Sequence, residues 1–85
     1  MNNIDYNLYK IFIHLYEQKS ISKVAMMLYV SQPAVSYSLK ELENQLGYSL
    51  FFRNSKGIEP TAEAKELYSM LTTTNIDDIN EKLLS

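Results

Sequence analysis

Residues 20–39, SISKVAMMLYVSQPAVSYSL, hold two short helical stripes separated by about three residues, and that spacing restricts the fold more than any other feature of the chain. Ser20 is a suitable N-cap for a helix of about two turns in which Val24, Ala25 and Leu28 face inward. Tyr29, Val30 and Ser31 interrupt it. Ser31 then caps another helix, with Pro33 in the first turn, where a missing N–H costs nothing. The apolar stripe of that helix is Val35, Leu39, Leu42 and Leu46, and Gly47 supplies its stop. With Ala25 small enough for the crossing, and Val30 and Val35 expected to lock the turn, the segment reads as a helix-turn-helix.

The flanking sequence completes a small fold. Asp5 caps a first helix over roughly residues 5–18, with Leu8, Ile11, Phe12 and Leu15 on one face. After Gly47 the period changes: Leu50-Phe51-Phe52-Arg53 favours strand, Asn54-Ser55-Lys56-Gly57 is turn chemistry, and Ile58-Glu59-Pro60 returns as a second strand. Thr61 caps a fourth helix carrying Ala64, Leu67, Tyr68 and Leu71. Beyond the threonines at 72–74 the stripe of Ile76, Ile79 and Leu83 is rotated, so the helix either continues with a broad face or breaks near Asn75. The residue pattern thus gives a mainly α fold: a helix-turn-helix in a three-helix core, a short β-hairpin at about 50–60 and a fourth helix from Thr61 onward.

Composition narrows the function classes. Eighty-five residues allow one domain, and at that size only about 60–65% of the unfolded surface can be buried, which makes a partner chain useful. No cysteine is present, so disulfides, zinc fingers and thiol catalysis are excluded. One histidine, His14, and no paired carboxylates in a plausible cleft leave no catalytic or metal constellation, so neither an enzyme nor a cofactor is expected. The start MNNIDYNLYK lacks a signal-peptide pattern and no run approaches about 18 apolar residues; a cytoplasmic protein without a membrane segment is expected. The net charge of −2 argues against a nucleic-acid partner, but its distribution softens the objection: residues 1–60 carry +1 and residues 61–85 carry −3.

Gln32, Ser36 and Lys40 recur at i, i+4 and i+8 on the helix that starts at Ser31, opposite the apolar stripe. Its start is polar and uncharged, which suits entry into a DNA major groove: Gln can read adenine bidentately and Ser can bond several base edges. The segments DYNLYKIF, SISKVA, VSQPAVSYSLKELE and QLGYSLFFRNSKGIEPT, in this order and spacing, resemble the N-terminal domain of LysR-type bacterial transcriptional regulators over about residues 4–71. The resemblance implies a winged helix-turn-helix, with residues 1–60 as the DNA-binding domain and 61–85 as the linker or dimerisation helix. It implies sequence-specific double-stranded DNA binding as a homodimer, with the helix at 31–46 in the major groove and the wing along the minor groove or backbone. It also implies pairing through the fourth helix. Family members are several times longer, with an effector-sensing domain after that helix, so a small-molecule effector is expected to act only through a domain not present here.

Carried over by position, Gln32, Pro33 and Ser36 match the family's base-reading residues. Tyr37 occupies a place where the family often has arginine, and offers a ring for a thymine methyl or a phenol for phosphate. Ser22, Ser31 and Lys40 match backbone-holding positions; Arg53 matches the wing arginine, with Lys56 beside it as a further phosphate contact. Leu67, Tyr68 and Leu71 form an apolar stripe that so small a core is not expected to cover, and are assigned to dimerisation. Met26 and Met27 replace residues usually polar on the second helix, and Glu41 stands where a basic residue is frequent. The acidity supports an alternative, a winged helix used for protein contacts with little intrinsic DNA affinity.

Overall fold

Each helix starts where a side chain satisfies a backbone N–H that the helix leaves unpaired. A computed structural model of the chain describes residues 5–72. In α1, Tyr6–Gln18, the Asp5 carboxylate accepts from the Asn7 N–H at 2.9 Å; in α2, Ile21–Leu28, the Ser20 hydroxyl accepts from the Lys23 N–H at 3.2 Å; in α3, Gln32–Leu46, the Ser31 hydroxyl accepts from the Ala34 N–H at 3.2 Å. All three helices end in a left-handed residue. Gly47 (φ 89°) does so without strain, whereas Lys19 (φ 54°) and Tyr29 (φ 59°) adopt a region disfavoured for side chains with a Cβ. Their N–H groups repay part of that cost: Lys19 donates to the Leu15 carbonyl at 2.8 Å and Tyr29 to that of Met26 at 3.3 Å.

Strands β1, Phe51–Asn54, and β2, Gly57–Pro60, pair antiparallel with Arg53 opposite Ile58 and Asn54 opposite Gly57. The Asn54 side-chain oxygen accepts from the Lys56 N–H at 2.8 Å and closes the turn. Gly57 has φ 139°, and a Cβ there would lie 2.9 Å from the Lys19 carbonyl oxygen, so only glycine lets the hairpin sit this close to the end of α1. At the other end of the hairpin, the Glu43 carboxylate of α3 accepts from the Leu50 N–H at 2.7 Å. Thr61 donates its hydroxyl to the Ser49 carbonyl at 2.8 Å and caps helix α4, which covers residues 62–72, by accepting from the Ala64 N–H at 3.1 Å.

The core has two connected parts. Phe12, Leu42, Leu50, Ala64 and Leu67 form one, Leu15, Val24, Ala25, Val35 and Ile58 the other, and Leu39 and Phe51 pack against both. The wing is therefore anchored by Leu50, Phe51 and Ile58 rather than free to swing. Two expectations need correction. Val35 is buried as expected, but Val30 is 46% exposed; the turn is held instead by hydrogen bonds of the Tyr29 and Val30 N–H groups to α2 carbonyls. Leu67, Tyr68 and Leu71 do not form an uncovered stripe: Leu67 is buried, Leu71 packs on the same core, and the Tyr68 ring stacks on Tyr16 at 4.0 Å with 7° between planes. The Tyr68 hydroxyl donates to the Glu17 carboxylate at 2.7 Å. The continuation of α4 past Asn75, and the placement of Ile76, Asp77, Asp78, Ile79, Glu81 and Leu83, lie outside the described residues.

Candidate nucleic-acid interface

At about 100° per residue, the buried Val35 and Leu42 and the half-buried Leu39 define the inner side of α3, and Pro33 and Tyr37 lie opposite them. Tyr37 is 71% exposed, and Gln32, Pro33, Ala34 and Lys40 are also exposed. Ser36 departs from the expected outward ridge. It is half-buried and leans toward the wing, lining a cleft with Lys40, Glu43, Phe51 and Arg53. A neighbouring cleft between the starts of α2 and α3 and the hairpin is lined by Ser22, Gln32, Arg53, Asn54, Ser55 and Lys56. Arg53 belongs to both. The structure thus brings together Gln32, Ser36, Ser22, Lys40, Arg53 and Lys56 along one concave surface between α3 and the wing.

Pro33, Tyr37 and Ser31 are outside the linings of these two clefts, on the outer side and at the start of α3. The Ser31 hydroxyl is engaged as an acceptor by the helix cap, which leaves its O–H able to donate outward. Ser22 is exposed, with its oxygen 3.1 Å from that of Ser20. Of the two acidic groups on α3 near this surface, Glu43 is turned to the Leu50 N–H and Glu41 accepts from the Gln45 amide at 3.1 Å. Both carboxylates are thereby drawn into local bonds. Asn54 and Ser55 also line the wing-side cleft and were not singled out as contacts from sequence; their position between Arg53 and Lys56 was the available signal.

Elsewhere, Met26 (73% exposed) and Met27 (46% exposed) form an apolar patch with Gln18 and Lys23 on the outer side of α2. Near the end of α3, desolvation raises the Tyr48 phenol above its ordinary value, aided by Tyr9, Glu63 and Glu66. No helix among the described residues is long and apolar enough to cross a membrane.

A three-helix core, a helix-turn-helix presented outward and a hairpin wing beside its second helix define a winged helix-turn-helix DNA-binding domain. The family model of the bacterial regulatory helix-turn-helix protein, lysR family, matches residues 6–65. The HTH-type transcriptional regulator YbdO of Escherichia coli is 42% identical over 71 residues, covering 84% of this chain and 24% of that protein. The HTH-type transcriptional activator NagR of a Ralstonia species is 45% identical over 67 residues, covering 79% and 22%. Among solved structures, the CbnR DBD–DNA complex superposes with a TM-score of 0.74 at 26% identity, covering 94% of this chain and 97% of that one. The chain belongs to the LysR family and carries its helix-turn-helix DNA-binding domain; it is a regulator's domain and not an enzyme. It spans about a quarter of the length of the curated relatives it matches.

Proposed function

We propose that the chain binds double-stranded DNA sequence-specifically, with α3 in the major groove and the wing along the minor groove or backbone. The observation that carries this is the continuous surface on which Gln32 and Ser36 of α3 lie beside Arg53 and Lys56 of the wing. Gln32, Pro33, Ser36 and Tyr37 read bases; Ser22, Ser31, Lys40, Arg53 and Lys56 hold phosphates or line the minor groove. The likeness to a domain solved on DNA supports the same placement. Residues 1–60 supply this binding unit and 61–85 the linker, and α4 closes the core through Ala64 and Leu67.

The working form is a homodimer in the bacterial cytoplasm. Because Leu67 and Tyr68 serve the chain's own core, pairing is assigned to the apolar residues Ile76, Ile79 and Leu83 in the sequence after α4. Twofold pairing places two copies of α3 on one face of the duplex, about one helical turn apart or a multiple of it. Regulation of genes by a small-molecule effector belongs to this reading only through a further domain of the kind the longer relatives carry.

Duplex titrations across a range of salt concentrations test the reading. Affinity falls steeply with salt, and Arg53→Ala or Lys56→Ala flattens the log–log slope by about one unit while preserving sequence preference. Salt-independent, sequence-blind association would instead favour the protein-interaction alternative.

A further inference from the structure

The base-reading end of α3 contains no arginine. The chain has one arginine, Arg53, and it stands on the wing. The commonest specific contact to guanine is a bidentate bond from Arg or Lys to O6 and N7, so the donors available on α3 decide whether guanine is read there. Gln32 occupies the first helical position, and Tyr37 lies on the outer side about a turn and a half further on. Lys40 is the cation on α3, but it sits roughly 12 Å along the axis from Gln32, whereas the first residues of a recognition helix are the ones that reach base edges. Lys40 lies about 60° around the helix from Tyr37 and lines the wing-side cleft with Glu43 and Arg53. Its position suits a phosphate.

What remains at the base-facing end has one bias. The Gln32 amide pairs bidentately with adenine N6 and N7. The Ser36 hydroxyl donates and accepts and discriminates little. The Tyr37 ring, 71% exposed and opposite the core-packed Val35 and Leu39 on the helix, offers an apolar face to the major groove, where the thymine C5-methyl is the apolar group a base edge presents.

We infer that α3 reads A·T base pairs and no guanine, with Tyr37 as the specificity-determining residue packed on a thymine methyl. This rests on the proposed placement of α3 in the major groove. The ligand class is thus a duplex whose half-sites are A·T at the pairs beneath Gln32 and Tyr37.

Selection of bound duplexes from a random pool by the 85-residue chain, followed by anisotropy titration of the enriched site, tests it. Enriched half-sites are expected to be A·T where α3 contacts them. Replacing thymine by deoxyuridine, which removes the methyl alone, is expected to weaken wild-type binding about three- to fivefold at one thymine per half-site. Tyr37→Ala loses that sensitivity, Tyr37→Phe keeps it, and Tyr37→Arg shifts the preference at that pair to guanine by about tenfold. Circular dichroism of each variant confirms the fold. Enrichment of guanine under α3, or wild-type affinity indifferent to every deoxyuridine substitution, would overturn the inference while leaving DNA binding intact. Failure to enrich any sequence, with binding indifferent to salt, would overturn the proposed function and this inference together.

Discussion

Gln32 and Ser36 differ in a way that only the folded chain reveals. Gln32 is exposed at the first helical position, whereas Ser36 is half-buried against the wing-side cleft. Removing either functional group leaves the core untouched, so Gln32→Ala and Ser36→Ala are each expected to cost about 1–3 kcal/mol of specific binding with an unchanged circular dichroism spectrum. Operator titrations decide this; full affinity in both variants would remove these residues from the interface. The sequence pattern joined both side chains into one ridge at i and i+4, but at 100° per residue Gln32 lies about 20° from Leu39 and Ser36 about 60° from it, so that ridge flanks the apolar stripe rather than opposing it. Helical spacing carries no information on how closely a neighbouring hairpin approaches that flank, as Arg53 and Phe51 do here.

At the level of elements, caps were legible and packing partners were not. Asp5, Ser20, Ser31, Thr61 and Gly47 act locally, within three or four residues, and each does what its residue type favours. The left-handed ends at Lys19 and Tyr29 were illegible, since neither is glycine or asparagine. The partner of the α4 stripe was illegible for another reason: Tyr68 meets Glu17 across 51 residues of chain. That contact has a pH signature. The hydrogen bond to Glu17, with burial second, holds the Tyr68 phenol above its ordinary value of about 10. A raised folded value means the stabilisation is present below about pH 10 and is lost as pH rises through that value. Tyr68→Phe is therefore expected to be less stable than wild type at neutral pH, by less than about 1 kcal/mol because the carboxylate is exposed, and the difference should vanish at strongly alkaline pH. Denaturant melts at several pH values measure it; a gap that persists unchanged at high pH would contradict the role assigned to the hydroxyl.

The two glycines make a paired prediction at the same scale. Gly47→Ala meets nothing within 4 Å and costs only the backbone term, about 1–2 kcal/mol, with the bound state's geometry preserved. Gly57→Ala also presses on the Lys19 carbonyl, so the hairpin must move away from α1. Both variants lose stability in thermal melts, but Gly57→Ala alone is expected to lose DNA affinity at temperatures where each is fully folded. Equal affinity losses would show that the wing's seat on α1 does not matter for binding.

For the whole molecule, the excess acid lies in the last 25 residues, and residues 1–60 carry +1. An acidic chain can therefore present a basic face to a duplex, provided the acidic segment stays away from it. For the proposed dimer, sedimentation of wild type against Ile79→Asp, with and without a symmetric duplex, measures the pairing: wild type is expected to dimerise on DNA more strongly than the variant. Equal dimerisation of the two would remove Ile79 from the interface. The central claim is that one surface, between α3 and the wing, meets DNA, and amide chemical-shift mapping during titration with a selected duplex tests it most directly. The largest shifts should fall on residues 20–23, 31–40 and 53–57, and the Met26–Met27 patch should remain still. Shifts centred on that patch or on the outer side of α4, with 31–40 and 53–57 unchanged, would contradict the account.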